Sequence, residues 1–187
     1  MIRPNNQSCY LYFKECTKDF GSYNVIENYG NMISHKKFLK DVDAIAGYLD
    51  KNNIKRGDVV TIFLPNIPQC FAAFYAVNKI GAVANVIHPL SAENEIKYAL
   101  ELTKSKMIIT VDIAWEKVNN ILKDTKVKNS VIVSVKDSMP ALTGIGYYIL
   151  KGKDIKKPEY GSNIFTWKDF LKFSKDYKKD TYEKISA

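Results

Sequence analysis

The chain has 187 residues, room for one domain or at most two small ones, and 46% of them are hydrophobic, which excludes wholesale disorder. Lys+Arg is 28 against 20 for Asp+Glu, a net charge of +8, yet Arg3 and Arg56 are the only arginines. Base-edge reading and bidentate phosphate clamps favour the arginine fork, so this lysine surface points away from nucleic acid as a partner. The charge is uneven, with ten lysines against six acids in residues 151–187, a net of +4.

Three cysteines, Cys9, Cys16 and Cys70, form no CxxC pair, and an odd number cannot pair off internally. That fits a reducing compartment. Cys9 and Cys16 are seven apart, share a helix face and are expected as small core residues. With His35 and His88 as the only imidazoles, no zinc-like ligand set is expected. The amino terminus lacks the apolar stretch of a signal peptide. Residues 59–78 carry no charge, but Pro65, Asn66, Pro68 and Gln69 interrupt them, which in lipid would strand backbone polar groups. The expectation is a soluble cytoplasmic protein with a buried strand, turn and helix at its centre.

In chain order, residues 23–27 and 31–33 flank Asn28-Tyr29-Gly30, a hairpin signal. Ser34 then caps a helix with Phe38, Val42, Ile45 and Leu49 on one face, ending near Asn52-Asn53. Residues 59–64 form a short β-branched apolar run, read as a strand covered on both faces. Asn66 is the expected N-cap of the next helix, residues 69–80, which is apolar nearly all round. Lys79 is expected as a C-terminal residue of that helix, facing the negative end of its dipole.

Strand and helix then alternate: strands at 82–87, 107–110 and 130–134, helices from Ser91-Ala92-Glu93 through Leu102 and over 114–123. This rhythm predicts an α/β fold with βαβ units, a mostly parallel sheet and flanking helices. Beyond Lys136 the pattern weakens. A helix over 138–150, a Lys-, Gly- and Pro-containing loop over 151–162 and a helix starting near Thr166-Trp167 are expected, with residues 176–187 frayed. Three parts follow: an N-terminal helical segment (1–22), an α/β core (23–135) and a less ordered region (136–187) that carries the basic 151–180 stretch.

No catalytic constellation is visible in the residues themselves. The chain has no G-x-x-x-x-G-K-[ST] loop and no G-x-S-x-G turn, and Gly144-Ile145-Gly146 lacks the third glycine of a dinucleotide fingerprint. His88 stands just past a strand, at the carboxyl edge where ligands of parallel sheets sit. Its plain reading is a histidine packed at a strand end. Lys151, Lys153, Lys156 and Lys157 alternate with Asp154 and Glu159, the pattern of a solvated loop rather than a membrane-binding patch.

The centre of the chain carries a resemblance. Lys55-Arg56-Gly57-Asp58-Val59-Val60, running on to Pro65-Asn66-Ile67-Pro68-Gln69, resembles the k-x-G-D-x-V … p-N-x-P-[EQ] segment of the AMP-forming acyl-CoA synthetases and ligases. Ala76-Val77-Asn78-Lys79-Ile80-Gly81-Ala82-Val83 is similar to their A-x-x-[KR]-x-G-A-V segment. Asn85 to Ile96, with Pro89 and Glu95, is similar to their n-P-x-x-x-x-E-[LI] segment. The order and spacing agree. Ser34-His35-Lys36-Lys37 departs from the usual Thr-Tyr-x-Glu, keeping the cap without the carboxylate, and His88 stands where asparagine is common.

The resemblance implies an incomplete part of the large N-terminal domain of an adenylate-forming enzyme. It implies ATP and Mg²⁺ for the full-length enzyme, a carboxylic acid and coenzyme A as substrates, and the remainder of its own chain as partner. The family's phosphate loop, adenine segment, ribose aspartate and mobile-domain lysine have no counterpart in these 187 residues. The expectation is therefore a catalytically silent piece with no catalytic residue, no metal site and no bound cofactor. By the same resemblance His88, Pro89 and Leu90 are candidate contacts on the coenzyme A side. A piece of this kind is also expected to expose apolar surface and to dimerise through it. The alternative is a non-enzymatic α/β binding or scaffolding domain.

Overall fold

The computed structural model describes residues 8–139 and 158–172. It opens with α1 (Cys9–Cys16), capped by the Ser8 hydroxyl, which accepts the Leu11 N–H at 3.2 Å. Tyr10 is the residue this helix buries; Cys9 and Cys16 are exposed, against expectation. The Tyr10 N–H is anchored on Asn78 Oδ1 at 2.8 Å, and this dock sets which face turns inward. In a helix of eight residues, the surface it lands on decides its phase.

The expected hairpin pairs β1 (Asn24–Asn28) with β2 (Asn31–Ser34). Its two central residues, Tyr29 and Gly30, have φ of 51° and 80°, the twist that matches paired strands. Ser34 caps α2 (His35–Lys51) by accepting the Lys37 N–H at 3.3 Å. The stripe Phe38, Val42, Ile45 and Leu49 is buried as its spacing requires.

β3 (Val59–Phe63) leads into α3 (Pro68–Lys79). The cap of α3 is Ile67, not Asn66, and no side chain bonds it. Pro68 takes the first helical position and holds the residue before it extended, which moves the boundary by one. β4 (Val83–Val86), α4 (Glu93–Thr103) and β5 (Met107–Val111) follow. The Glu95 carboxylate accepts the Ala92 N–H at 2.9 Å and closes the start of α4. After a 3₁₀ turn come α5 (Trp115–Leu122), β6 (Asn129–Val133) and a second 3₁₀ turn, Val135–Ser138. β7 (Ile164–Thr166) and α6 (Trp167–Lys172) complete the described elements.

The five strands β3–β7 form one sheet in the order β4-β3-β5-β6-β7, parallel at every pairing. Chain direction across the sheet reverses once, between β3 and β5. With right-handed crossovers, that reversal puts α3 on one face and α4 and α5 on the other. α1 and α2 pack with α3, α6 packs with α2, and α4 packs with α5. β3, β5 and β6 are covered on both faces and buried, whereas Val83 and Val86 of the edge strand β4 are exposed. Inside the sheet, Thr61 Oγ1 meets Ser105 Oγ at 2.5 Å and accepts the Asn85 amide at 3.0 Å, so the polar side chains at the base of α4 satisfy one another.

β7 is a strand the sequence reading missed. Three residues are too few to show a period of two, and the pairing of Ser130, Val131 and Ile132 with Ile164, Phe165 and Thr166 makes the strand. Residues 140–157 and 173–187 lie outside the described residues, and with them most of the expected 138–150 helix, Gly144 and Gly146, the lysine run at 151–157 and the expected fraying at 176–187.

Candidate functional site

Parallel sheets present ligands at the carboxyl ends of their strands, next to the point where chain direction reverses. That edge here consists of the residues after β3, β4, β5, β6 and β7. On the α2–α3 side of it lies a cavity of about 520 Å³. The hairpin closes one side through Asn24, Asn31 and Met32, and the first two turns of α2, α3 and α6, with Asp137, supply the rest. Pro68 and Gln69 open the helix that follows β3, Asp137 comes after β6 and Trp167 after β7, so the connections leaving three strands converge on one space.

Within the wall, Lys37 and Asp41 form an ion pair one turn apart on α2. Gln69 differs in kind: it is 6% exposed, and its Oε1 has no hydrogen-bond partner among the described residues. His35, next to the α2 cap, is buried with its Nε2 at 2.5 Å from Thr17 Oγ1. The Thr17 hydroxyl donates to the Phe13 carbonyl at 2.5 Å, so its oxygen is left to accept and His35 carries its proton on Nε2.

The same edge is acidic. Asp112, at the end of β5, accepts the Ser134 hydroxyl at 2.6 Å and the Ile113 N–H at 2.9 Å, tying β5 to the end of β6. Burial, and then the charges of Asp112, Asp137 and Asp169, push the Tyr160 phenol above its ordinary value. Among the described residues no three His, Cys, Asp or Glu side chains are grouped so that they could hold a metal ion.

The sequence-selected trio lies elsewhere on this edge. His88, Pro89 and Leu90 follow β4, at the far end of the sheet from β7. The segment is a turn, with the Ser91 N–H donating to the His88 carbonyl at 3.0 Å and the Leu90 N–H to His88 Nδ1 at 3.3 Å. His88 is exposed rather than packed at the strand end, and Leu90 is 82% exposed. Lys117 on α5 reaches over to the Ser91 carbonyl at 3.0 Å and braces the loop. None of the three lines the cavity.

Gln69, Asp137 and Trp167, which do line it, were missed as site residues. Gln69 carried a usable signal as a polar side chain near the start of a helix that is otherwise almost wholly apolar. Asp137 and Trp167 carried none, because their approach to Gln69 depends on strands far apart in the chain.

Comparison with known proteins agrees with this architecture. Residues 13–159 match the family described as AMP-binding enzyme. A long-chain-fatty-acid–CoA ligase of Bacillus subtilis (strain 168) is 29% identical over 157 residues, covering 83% of this chain and 28% of the relative. An acetyl-coenzyme A synthetase 1 of Debaryomyces hansenii is 36% identical over 86 residues, 46% of this chain and 13% of its own length. The fold matches crystal structures of the anthranilate CoA ligase AuaEII in complex with anthranoyl-AMP (TM-score 0.75, 12% identity, 98% of this chain and 30% of that one) and of coronafacic acid ligase from Pectobacterium brasiliense (TM-score 0.74, 20% identity, 96% and 31%). The chain thus spans less than a third of each of these proteins. With the family match covering most of its length and its parallel sheet shared with these ligases, the chain belongs to the AMP-binding enzyme family, the adenylate-forming ligases.

Proposed function

We propose that the chain is the amino-terminal portion of an ATP-dependent, AMP-forming acyl-CoA synthetase and is inactive alone. The observation that carries this reading is the family match over residues 13–159 in a sequence with no phosphate loop. In the whole enzyme a carboxylate oxygen attacks the α-phosphate of ATP, and the bond to the departing pyrophosphate breaks. The thiol of coenzyme A then attacks the acyl carbon, and AMP leaves. Stabilising the phosphoryl transition state needs donors and cations fixed around it. In this reading polypeptide beyond Ala187 brings them, together with the site for Mg²⁺.

This portion contributes scaffold: residues 23–135 as the core, with 1–22 ahead of it and 136–187 leading toward the nucleotide-binding half. His88, Pro89 and Leu90 are proposed to face the coenzyme A side; their support is an exposed, braced turn at a strand's carboxyl end. The exposed Val83 and Val86 on the edge strand, with Tyr98 and Leu102 on α4, support docking of further polypeptide. Placement in the cytoplasm is part of the same proposal; no helix among the described residues is long and apolar enough to cross a membrane.

The test is acid-dependent ATP–pyrophosphate exchange by the purified chain, measured over a panel of short- and long-chain acids. No exchange is expected, and measurable exchange overturns the reading. Sequencing past the codon for Ala187 is expected to show an open frame with the glycine-rich loop within a few dozen codons.

A further inference from the structure

We propose that the amino-terminal edge of the sheet, at the other end of the strands from the cavity, is a docking surface for an anionic lipid membrane. The proposal does not depend on the activity proposed for the whole enzyme. The segments that enter β3, β5 and β6, residues 54–58, 104–106 and 123–128, hold seven cations against two carboxylates. These strands are neighbours in the sheet, so the charges share one edge. The segments that leave the same strands, 64–67, 112–114 and 134–139, hold one cation and two carboxylates. Lys104 and Lys123 are the C-caps of α4 and α5, where a cation suits the helix dipole. Lys106, Lys126 and Lys128 lie beyond the helix ends and have no such role.

Two adjacent entries carry the same pattern, Lys104-Ser105-Lys106 and Lys126-Val127-Lys128. Ser105 is buried and Val127 half-buried, while the lysines on either side of each are exposed. The sheet ladder continues through them: the Lys128 N–H donates to the Lys106 carbonyl and the Lys106 N–H to the Val59 carbonyl, both at 2.9 Å. Lys106 and Lys128 thus stand side by side on strands about 4.8 Å apart, where like charges repel. The two carboxylates are already engaged. Asp58 lies 2.6 Å from Lys106 Nζ, and Asp124 lies 2.8 Å from Lys97 Nζ on α4. Among the described residues Lys104, Lys126 and Lys128 have no ion pair. A row of like charges at one level is stabilised by a surface of opposite charge, and a leaflet of anionic headgroups supplies one. Lysine is a hydrated point charge without the arginine fork, which suits diffuse attraction to a fluid surface better than bidentate recognition of one phosphate. A membrane at this edge leaves the carboxyl edge and its cavity facing water.

The experiment is cosedimentation of the purified chain with vesicles of equal parts phosphatidylserine and phosphatidylcholine, and with phosphatidylcholine alone. Binding is expected to the mixed vesicles only, at low salt, and is lost at about 1 M salt, where screening shortens to about 3 Å. Each lysine near an anionic surface is worth about fivefold in partition. The triple variant Lys104→Gln, Lys126→Gln, Lys128→Gln is therefore expected to bind at least about tenfold more weakly. A second triple variant, Lys151→Gln, Lys153→Gln, Lys157→Gln, has the same net charge and is expected to bind within about twofold of the unmodified chain. In the unmodified chain, bound vesicles are expected to slow acetylation of Lys104, Lys126 and Lys128 but not of Lys168 in the cavity wall, read by mass spectrometry. No vesicle binding, equal losses in the two variants, or equal protection of Lys168 would each overturn the proposal. So would binding to duplex DNA or polyglutamate with none to the vesicles. The acetylation pattern decides the matter even if the first variant does not fold.

Discussion

The ammonium of Lys79, at the end of α3, lies 2.7 Å from Asp43 Oδ1 on α2. It also sits 4.9 Å from the centre of the Tyr10 ring of α1 and 3.2 Å from that residue's hydroxyl. One lysine thus joins three helices. Its position in the last turn of α3 was expected from the sequence; its burial, at 3% exposed, was not. A cation withdrawn from water needs its counter-charge and hydrogen bonds, and their removal costs more than removal of the whole group.

Asp43→Ala is therefore expected to destabilise the chain by about 2–3 kcal/mol, and Lys79→Met by clearly less, because methionine fills the space without a charge to satisfy. Tyr10→Phe is expected to cost about 1 kcal/mol. Urea unfolding of the three variants checks the order. A larger loss in Lys79→Met than in Asp43→Ala contradicts it.

Thr110 in β5 shares the condition of Gln69: its Oγ1 is buried and has no partner among the described residues. Removal of an unpaired buried polar atom at constant shape relieves its desolvation. Thr110→Val and Gln69→Leu are each expected to raise unfolding stability by about 0.5–1 kcal/mol, read as a higher melting temperature. A lower melting temperature for Thr110→Val contradicts the account, since valine also suits a strand.

Two carboxylates link stability to acid. Burial would raise Asp58, but a hydrogen bond from Lys106, the Lys55 N–H and the charges of both lysines outweigh it and hold the group below its ordinary value. Asp169 behaves likewise: burial is outweighed by Lys172 and by the N–H and hydroxyl of Thr166. A folded pKa below the unfolded value of about 3.9 adds stability at higher pH that is lost as pH falls through the folded pKa. Asp58→Asn and Asp169→Asn are expected to lower stability at neutral pH and to flatten its fall below about pH 4. Urea midpoints across that range measure both effects.

Gly57 has φ +82° and donates its N–H to the Gly81 carbonyl at 2.9 Å, which holds the entry to β3 against the entry to β4. A Cβ there would meet open space, so a side chain costs only its backbone strain. Gly57→Ala is expected to lose about 1 kcal/mol and Gly57→Asn less, because asparagine tolerates this region. Thermal melts of the two variants check the difference. Equal losses would point to packing instead.

What the sequence determined by itself was local and periodic. The Ser34 cap, the stripe on α2, the positive-φ turn at Tyr29-Gly30 and the apolar runs of β3, β5 and β6 each depend on neighbours within a few residues. The family segments also sat in local sequence, so the parallel sheet could be expected before it was seen. Tertiary structure alone decided which face of α1 turned inward and left Cys9 and Cys16 in solvent. It also made a strand of three residues at β7 and turned Lys79 onto Asp43. The cavity around Gln69 is the clearest case. Its walls come from the hairpin, from α2 and from the residues after β3, β6 and β7, and no short window of sequence encodes a meeting that arises only when the parallel strands align their carboxyl ends.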